Sequence, residues 1–285
     1  MKILVTGANG LLGSHIINQA AQDRKAEAVG TTRTGAGGFA KMDLGSAKEI
    51  RHAVSSFSPD VVINTAALTN VDYCEDHREE AWSINVEGTR ALASECREIG
   101  AKLVHVSTDY VFDGNGGMYK ETDETSPVQY YGKTKLEAEK AIVGSGIEYL
   151  IVRPAIIYGW GNGKLNYVTW VIDSLLKGQK IQIFDQYNSP TYAGSLAEAL
   201  LKITDKTGLY HLAGPQRISR HEFAMKVAEA FGLDSSLIVQ ARDNSFAKAA
   251  RPHDSSLDVS KAAEELGMRL HDIGQGLMAM QKGRL

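Results

Sequence analysis

The chain has 285 residues, with 31 lysines and arginines against 34 aspartates and glutamates, a net charge of −3. That length can bury a large core in one domain or two, and a near-balanced charge without a basic block argues against a nucleic-acid surface. No run holds the roughly 20 apolar residues needed to span a bilayer, and Cys74 and Cys96 alone make no disulfide framework, so a soluble cytoplasmic protein is expected. The N-terminus opens directly on a strand, which leaves no room for a signal peptide.

Ile3, Leu4 and Val5 form a short apolar run suited to a strand buried on both faces. Thr6 and Gly7 break it, glycine returns at Gly10 and Gly13, and Ile16, Ile17 and Ala20 then follow at helical spacing. Strand, glycine turn and helix in that order predict a phosphate cradle: Gly7 for a tight turn, Gly10 for approach of a pyrophosphate, Gly13 for helix packing. The spacing is G-x-x-G-x-x-G, not G-x-G-x-x-G, and three glycines alone are a weak signal. Their place directly after the first strand is what favours a dinucleotide.

Glu27 to Thr32 reads as a second strand. Its end, Thr31-Thr32-Arg33, lacks the acidic residue that would accept the ribose 2′-OH of NAD. Arg33 either pairs with a 2′-phosphate, favouring NADPH over NADH, or is a solvated loop charge. Asp43, before Leu44, either reaches an adenine edge or caps a helix from Ser46 to Phe57. Asp60 to Asn64 is a third strand, and the small residues Thr65, Ala66 and Ala67 follow it. Asp72 to Ile99 is predicted mostly helical. Cys74 and Cys96 would lie about 33 Å apart if that helix were continuous. Asn85 within it either bridges backbone groups or faces water.

Leu103 to Val106 is a fourth strand, running into Ser107-Thr108-Asp109-Tyr110-Val111-Phe112-Asp113-Gly114. A long helix from Pro127 to about Ser145 carries Tyr131 and Lys135, and Tyr149 to Val152 is a fifth strand. This alternation predicts an α/β fold over residues 1–155, a doubly wound parallel sheet of the Rossmann type. Right-handed crossovers then bring Gly10, Ala66 and Thr108 to one crevice. Beyond Arg153-Pro154 the alternation weakens. A loop with Gly159, Gly161 and Gly163 precedes a helix from Asn166 to Lys177 and a short strand, Ile181 to Phe184. Ala193 to Thr204 reads as a helix, Gly208 to Leu212 as a strand, and Ser219 caps a helix to Phe231. A last helix starts near Ser260. Residues 156–285 are read mainly as a smaller, mixed substrate-binding lobe over the crevice, with 181–204 returning to the first domain.

Tyr131 and Lys135 are four apart and share a helix face. In isolation they could be a surface pair; Thr108, at a strand end beside the crevice, raises their significance. Together the three suit carbonyl reduction. Hydride arriving at a ketone carbon leaves charge on oxygen, and a phenol of ordinary pKa about 10 can supply the proton. A nearby ammonium would lower that pKa. Lys135 could also hold a nicotinamide ribose, and Thr108 could donate to the oxygen as it charges. The eight histidines are scattered without Cys/His ligand spacing, so no metal site is expected. His105 and His211, in strands, read as core residues.

At these positions the chain resembles the extended short-chain dehydrogenase/reductase superfamily, and more closely the dTDP-4-dehydrorhamnose reductases. The resemblance rests on Thr6 to Gly13, Ser107 to Gly114, Tyr131-Gly132-Lys133-Thr134-Lys135, Asp185 to Thr191, Arg251-Pro252 and Ser256-Leu257-Asp258. It implies NADPH-dependent reduction of a 4-keto nucleotide sugar, with NADH as an alternative and Thr108, Tyr131 and Lys135 catalytic. It implies a cofactor held by Gly7, Asn9, Gly10, Leu11, Leu12 and Gly13, then Arg33, Asp43, Leu44, Ala66 and Ala67, with Tyr131 and Lys135. The implied substrate side is Thr69, Asp72, Thr108, Asp109, Tyr110, Thr191 and Arg251. Some members of the family are reported to need Mg²⁺, though no acidic cluster here demands it. A homodimer is left open.

Asp109-Tyr110 stands where nucleotide-sugar 4,6-dehydratases carry an Asp-Glu pair, which disfavours dehydration. The acidic residue after the second strand, usual in epimerases, is also absent. The tryptophan that reductases often carry after the fifth-strand arginine is absent from Arg153-Pro154-Ala155-Ile156-Ile157, so the sugar pocket could differ and the nucleotide could be UDP or another instead of dTDP. The same motifs also resemble the NADP-binding regulatory β subunit of methionine adenosyltransferase, in which Tyr131 and Lys135 would mainly hold cofactor.

Overall fold

The computed structural model describes residues 1–22, 26–161, 164–241 and 247–283. Gly163 of the expected glycine loop lies outside them. Seven parallel strands form the main sheet, in the order β11-β6-β5-β4-β1-β2-β3. They are β1 (Lys2–Thr6), β2 (Glu27–Thr32), β3 (Ala40–Lys41), β4 (Val61–Asn64), β5 (Lys102–Val106), β6 (Tyr149–Arg153) and β11 (Gly208–His211). Helices α1 (Leu11–Ala20) and α8 (Ala193–Lys202) cover one face. The other is covered by α2 (Ala47–Phe57), α5 (Gly88–Ile99) and α6 (Tyr130–Val143).

Strand alternation explains the two layers. Ile3, Val5, Ile63, Val104 and Val152 pack with Ile16, Leu196 and Leu200, while Leu4, Val62, Leu103 and Ile151 pack with Ile50, Val54, Leu92 and Ile142. Each such side chain, fully buried, stabilises the fold by about 1.5–3 kcal/mol. The order reverses between β1 and β4, so their C-terminal ends open a crevice there. Register aligns Thr6 with Asn64 and Asn64 with His105, a polar row across three buried strands.

Three features depart from expectation. The segment from Asp72 to Ile99 is not one helix: α3 (Val71–Asp76) ends at His77, α4 (Arg78–Trp82) follows, and a π-turn over Ser83–Glu87 leads into α5. The long-helix separation of the cysteines therefore does not apply; both are buried and free. Ser46, not Asp43, caps α2, accepting from the Glu49 N–H; Asp43 accepts from Gly45 N–H instead. The helix expected from Pro127 starts at Tyr130, where Gln129 caps it.

The remaining elements are β7 (Ala155–Tyr158), α7 (Tyr167–Leu176), β8 (Ile181–Ile183), β9 (Tyr187–Asn188), β10 (Pro190–Tyr192), β12 (Ile218–Ser219), α9 (Arg220–Phe231), β13 (Ile238–Gln240), α10 (Ser260–Glu265) and α11 (Ile273–Lys282). Four of these strands form small pairs, β8 with β13 and β9 with β12, while β7 pairs with β10. Val168, Val171, Ile181, Phe223, Val227 and Leu277 centre a second core. Ser219 caps α9 in a reciprocal box with Glu222, as its spacing predicts. Among the described residues no helix is long and apolar enough to cross a membrane.

Candidate functional site

The glycine turn is built as a cradle. Gly7 has φ +66°, and a Cβ there would meet Ala66 at 3.1 Å. A Cβ on Gly13 would stand 2.3 Å from the Gly7 carbonyl oxygen, so only glycine lets α1 sit on β1. At the start of α1, Gly10 offers no side-chain cap and no acid occupies the first turn. Its leading N–H groups and positive dipole end therefore suit an anion. The cradle opens on a cleft of about 560 Å³. Gly7, Asn9, Gly10, Leu11 and Leu12 line it, as do Arg33, Asp43, Leu44, Ala66, Ala67 and Thr69. Gly13 instead packs beneath it. Shape, donors and a cation at one end fit a dinucleotide phosphate.

Thr108, Asp109 and Tyr131 line the same cleft. Thr108 caps a short turn after β5; its Oγ1 accepts from the Tyr110 N–H at 3.2 Å and donates to Asp109 Oδ1 at 3.0 Å. Ser255 donates to Asp109 Oδ2 at 2.5 Å. Burial pushes the Asp109 carboxyl up to about 6, against the pull of Ser255, Thr108 and Arg220. Tyr131 shares the cleft wall with Thr108, and burial, helped by the Asp109 charge, raises its phenol above the ordinary value against the pull of Thr108. The expected lowering of Tyr131 by Lys135 is therefore corrected. Lys135 directs its ammonium to His105 Nε2 at 3.0 Å and to the Val106 carbonyl at 2.8 Å. Burial lowers Lys135 to about 8, with Glu139 opposing.

His105 is buried in the core, as expected, and is also a link. Asn64 Nδ2 meets its Nδ1 at 3.1 Å, and Thr6 donates to Asn64 Oδ1 at 2.6 Å. Thr6 Oγ1 also accepts from Ala66 N–H. A polar chain thus joins the cradle to Lys135 through the row set by strand register. Burial, then Lys135, holds His105 well below its ordinary pKa. Asn85 takes the bridging role: its amide exchanges hydrogen bonds with both backbone groups of Leu68 and reaches Thr134.

A second pocket of about 410 Å³ lies beyond, where Asp72, Tyr167, Trp170, Gln186, Arg220 and Arg251 meet. Arg251 donates to Asp72 Oδ2 at 3.0 Å. Burial opposes it, but the Ala249 N–H and Arg251 hold Asp72 below its ordinary value. Arg220 donates to the Tyr110 phenol at 3.1 Å, tying this pocket to the Thr108 turn. Thr191 lines neither cavity; fully buried on β10, it donates to Ser189 O. Tyr110 and Lys135 also stand behind the cavity walls. Sequence reasoning missed Arg220, Ser255, Tyr167 and Ile156. The first three come from distant segments and carry no local signal. Ile156 lines the cleft at φ +33°, a strained conformation for a β-branched residue that no sequence pattern announces. Among the described residues no three metal-ligating side chains cluster.

The family model of the RmlD substrate binding domain matches residues 1–283. The chain belongs to that family. Among relatives, the spore coat polysaccharide biosynthesis protein SpsK of Bacillus subtilis is 35% identical, over 94% of this chain and 92% of its own. Methionine adenosyltransferase 2 subunit beta of Bos taurus is 32% identical, over 94% of this chain and 83% of its own. The crystal structure of dTDP-4-dehydrorhamnose reductase from Bacillus anthracis in complex with NADP superposes with a TM-score of 0.91 at 27% identity, covering 99% of each chain. Members of the RmlD family are mostly NAD(P)-dependent reductases, and the fold with its NADP-binding relative matches this chain throughout.

Proposed function

We propose that this RmlD-family protein is an NADPH-dependent reductase of a 4-keto nucleotide sugar, with dTDP-4-dehydro-L-rhamnose to dTDP-L-rhamnose the favoured conversion. The observation that carries this is the place of Thr108 and Tyr131 together on the wall of the cradle's cleft. The second pocket adds two arginines for a diphosphate and two aromatic faces for a base. On this proposal residues 1–155 supply the dinucleotide half and residues 156–285 most of the sugar-nucleotide half.

The roles follow from the chain's own groups. Gly7 to Leu12 and the start of α1 bind the pyrophosphate, and Arg33 binds the 2′-phosphate. A bound nicotinamide supplies hydride to the ketone carbon. Tyr131, kept protonated at neutral pH by burial, gives its proton to the ketone oxygen. Thr108 steadies the charge that develops there. Lys135 holds a positive charge behind Tyr131 and in reach of a ribose. Asp72, Asp109, Tyr110, Thr191 and Arg251 shape the substrate side, Asp109 by direct lining and Thr191 from behind.

A turnover screen over 4-keto dTDP- and UDP-sugars with both nicotinamides tests the reading. Tyr131→Phe should cut turnover by about 10²–10⁴-fold while NADPH affinity holds. Normal turnover in that variant would sink the role of Tyr131. A second reading is a regulatory, NADP-binding subunit, favoured by the likeness to the adenosyltransferase subunit and by Lys135 facing His105 rather than Tyr131. Co-purification with a partner enzyme, with no ketone reduced, would decide for it.

A further inference from the structure

Thr108 carries one hydroxyl hydrogen and two lone pairs. Its hydrogen goes to Asp109 Oδ1 at 3.0 Å, and one lone pair takes the Tyr110 N–H. So long as Asp109 is ionised, Thr108 has no hydrogen for a ketone. A carboxylic acid at 109 would reverse this order. Its O–H would donate to Thr108 Oγ1, and the Thr108 hydrogen would turn to the cleft that Tyr131 also lines.

We propose that Asp109 is a positioning switch: it takes up one proton as a nucleotide diphospho-sugar binds, and this aims the Thr108 hydroxyl at the ketone oxygen beside Tyr131. The inference rests on the nucleotide-sugar reading above. One proton moves from solvent to Asp109; no bond to carbon forms or breaks, and nothing is oxidised. The groups facing Asp109 are Thr108 and Tyr110 on its own loop, Tyr131 on α6, Arg220 on α9 and Ser255 on the C-terminal segment. Arg220 is the cation among them, and it also lines the second pocket. A diphosphate there occupies the charge that now favours the ionised carboxylate, excludes water and adds like charge. All three effects favour the neutral acid. Asp109 already sits near the point where this matters, with burial holding it at about 6.

The test is calorimetry of dTDP-glucose and UDP-glucose binding to the NADP⁺-loaded protein at pH 7, in phosphate and in Tris. These diphosphodiesters do not themselves titrate near neutrality. The dependence of heat on buffer ionisation should report uptake of roughly 0.5–1 proton per ligand in the native protein. In Asp109→Asn it should fall near zero. Lys135, at about 8, is already mostly protonated at pH 7 and has little left to take up in either protein. Ser255→Ala removes a hydrogen bond that favours the carboxylate, so the pH of maximal uptake should move upward. Equal uptake in Asp109→Asn, no uptake in the native protein, or an unmoved maximum in Ser255→Ala would each overturn the switch. If neither ligand bound at all, the nucleotide-sugar reading itself would fall, an outcome distinct from binding without proton uptake.

Discussion

Two buried cations, Arg153 on β6 and Lys135 on α6, are treated differently. Arg153 meets Glu139 in a two-point pair, Nε to Oε1 at 3.0 Å and Nη2 to Oε2 at 2.6 Å. Ser107 donates to the same carboxylate, and the guanidinium lies 5.2 Å over the Phe112 ring. Lys135, four residues before Glu139, has two neutral hydrogen-bond partners, His105 and a backbone carbonyl. The first arrangement neutralises charge and stitches β6 to α6. The second leaves the ammonium without a direct ion pair, with Glu139 acting on it only through its charge. Pairing of a buried charge thus separates a cation held in a structural ion pair from one proposed to serve the cofactor.

The largest expected effect breaks the paired side. Glu139→Gln strands Arg153 without a counter-charge and should destabilise the fold by about 3–5 kcal/mol, read from urea unfolding. A loss under 1 kcal/mol would mean the pair is not what holds β6 on α6.

Lys135→Met should behave in the opposite sense. The folded pKa of Lys135 is depressed, from the ordinary 10.5 to about 8. Between those values the unfolded chain binds the proton and the folded one does not, so stability rises with pH across that window. Below pH 8 both states are charged and the burial cost is present in full. The native protein should therefore gain about 1.4 kcal/mol per pH unit within the window, and Lys135→Met should remove that slope without lowering stability at pH 7. Unfolding midpoints at pH 7, 8, 9 and 10 check it. A slope that survives the substitution belongs to another group.

The smallest effect concerns a third cation, at the cleft's outer end. Arg33→Ala should weaken NADPH by about 1 kcal/mol or more and NADH hardly at all, read by fluorescence titration. Equal weakening of both would place Arg33 outside the 2′-phosphate's reach.

What could be read from the sequence was what the chain keeps contiguous. The cradle is one strand, one turn and one helix start, so Gly7, Gly10 and Gly13 carry their own geometry. Thr108 is legible because it ends a strand, and Tyr131 because it lies on the helix that follows. The partner of Lys135 was not legible, since His105 faces it only through sheet register. Asp72 and Arg251 meet across 179 positions, and the Asp109–Ser255 contact spans 146; no local pattern announces either. The helix break at His77 was hidden because every residue from Asp72 to Ile99 tolerates a helix, and tertiary packing chose the interruption.

The position of β11 has a practical corollary. This edge strand is drawn from residues 208–211 yet hydrogen-bonds along β6. Tyr210 and Leu212 join the same apolar layer as Ile3 and Val5. A fragment cut after residue 155 would bare the flank of β6, a row of unsatisfied amides and carbonyls ready to template self-association. It would also strip α8 from its seat on α1. Gene truncations meant to isolate a minimal nucleotide binder should therefore precipitate, and any soluble version must retain the chain at least through His211.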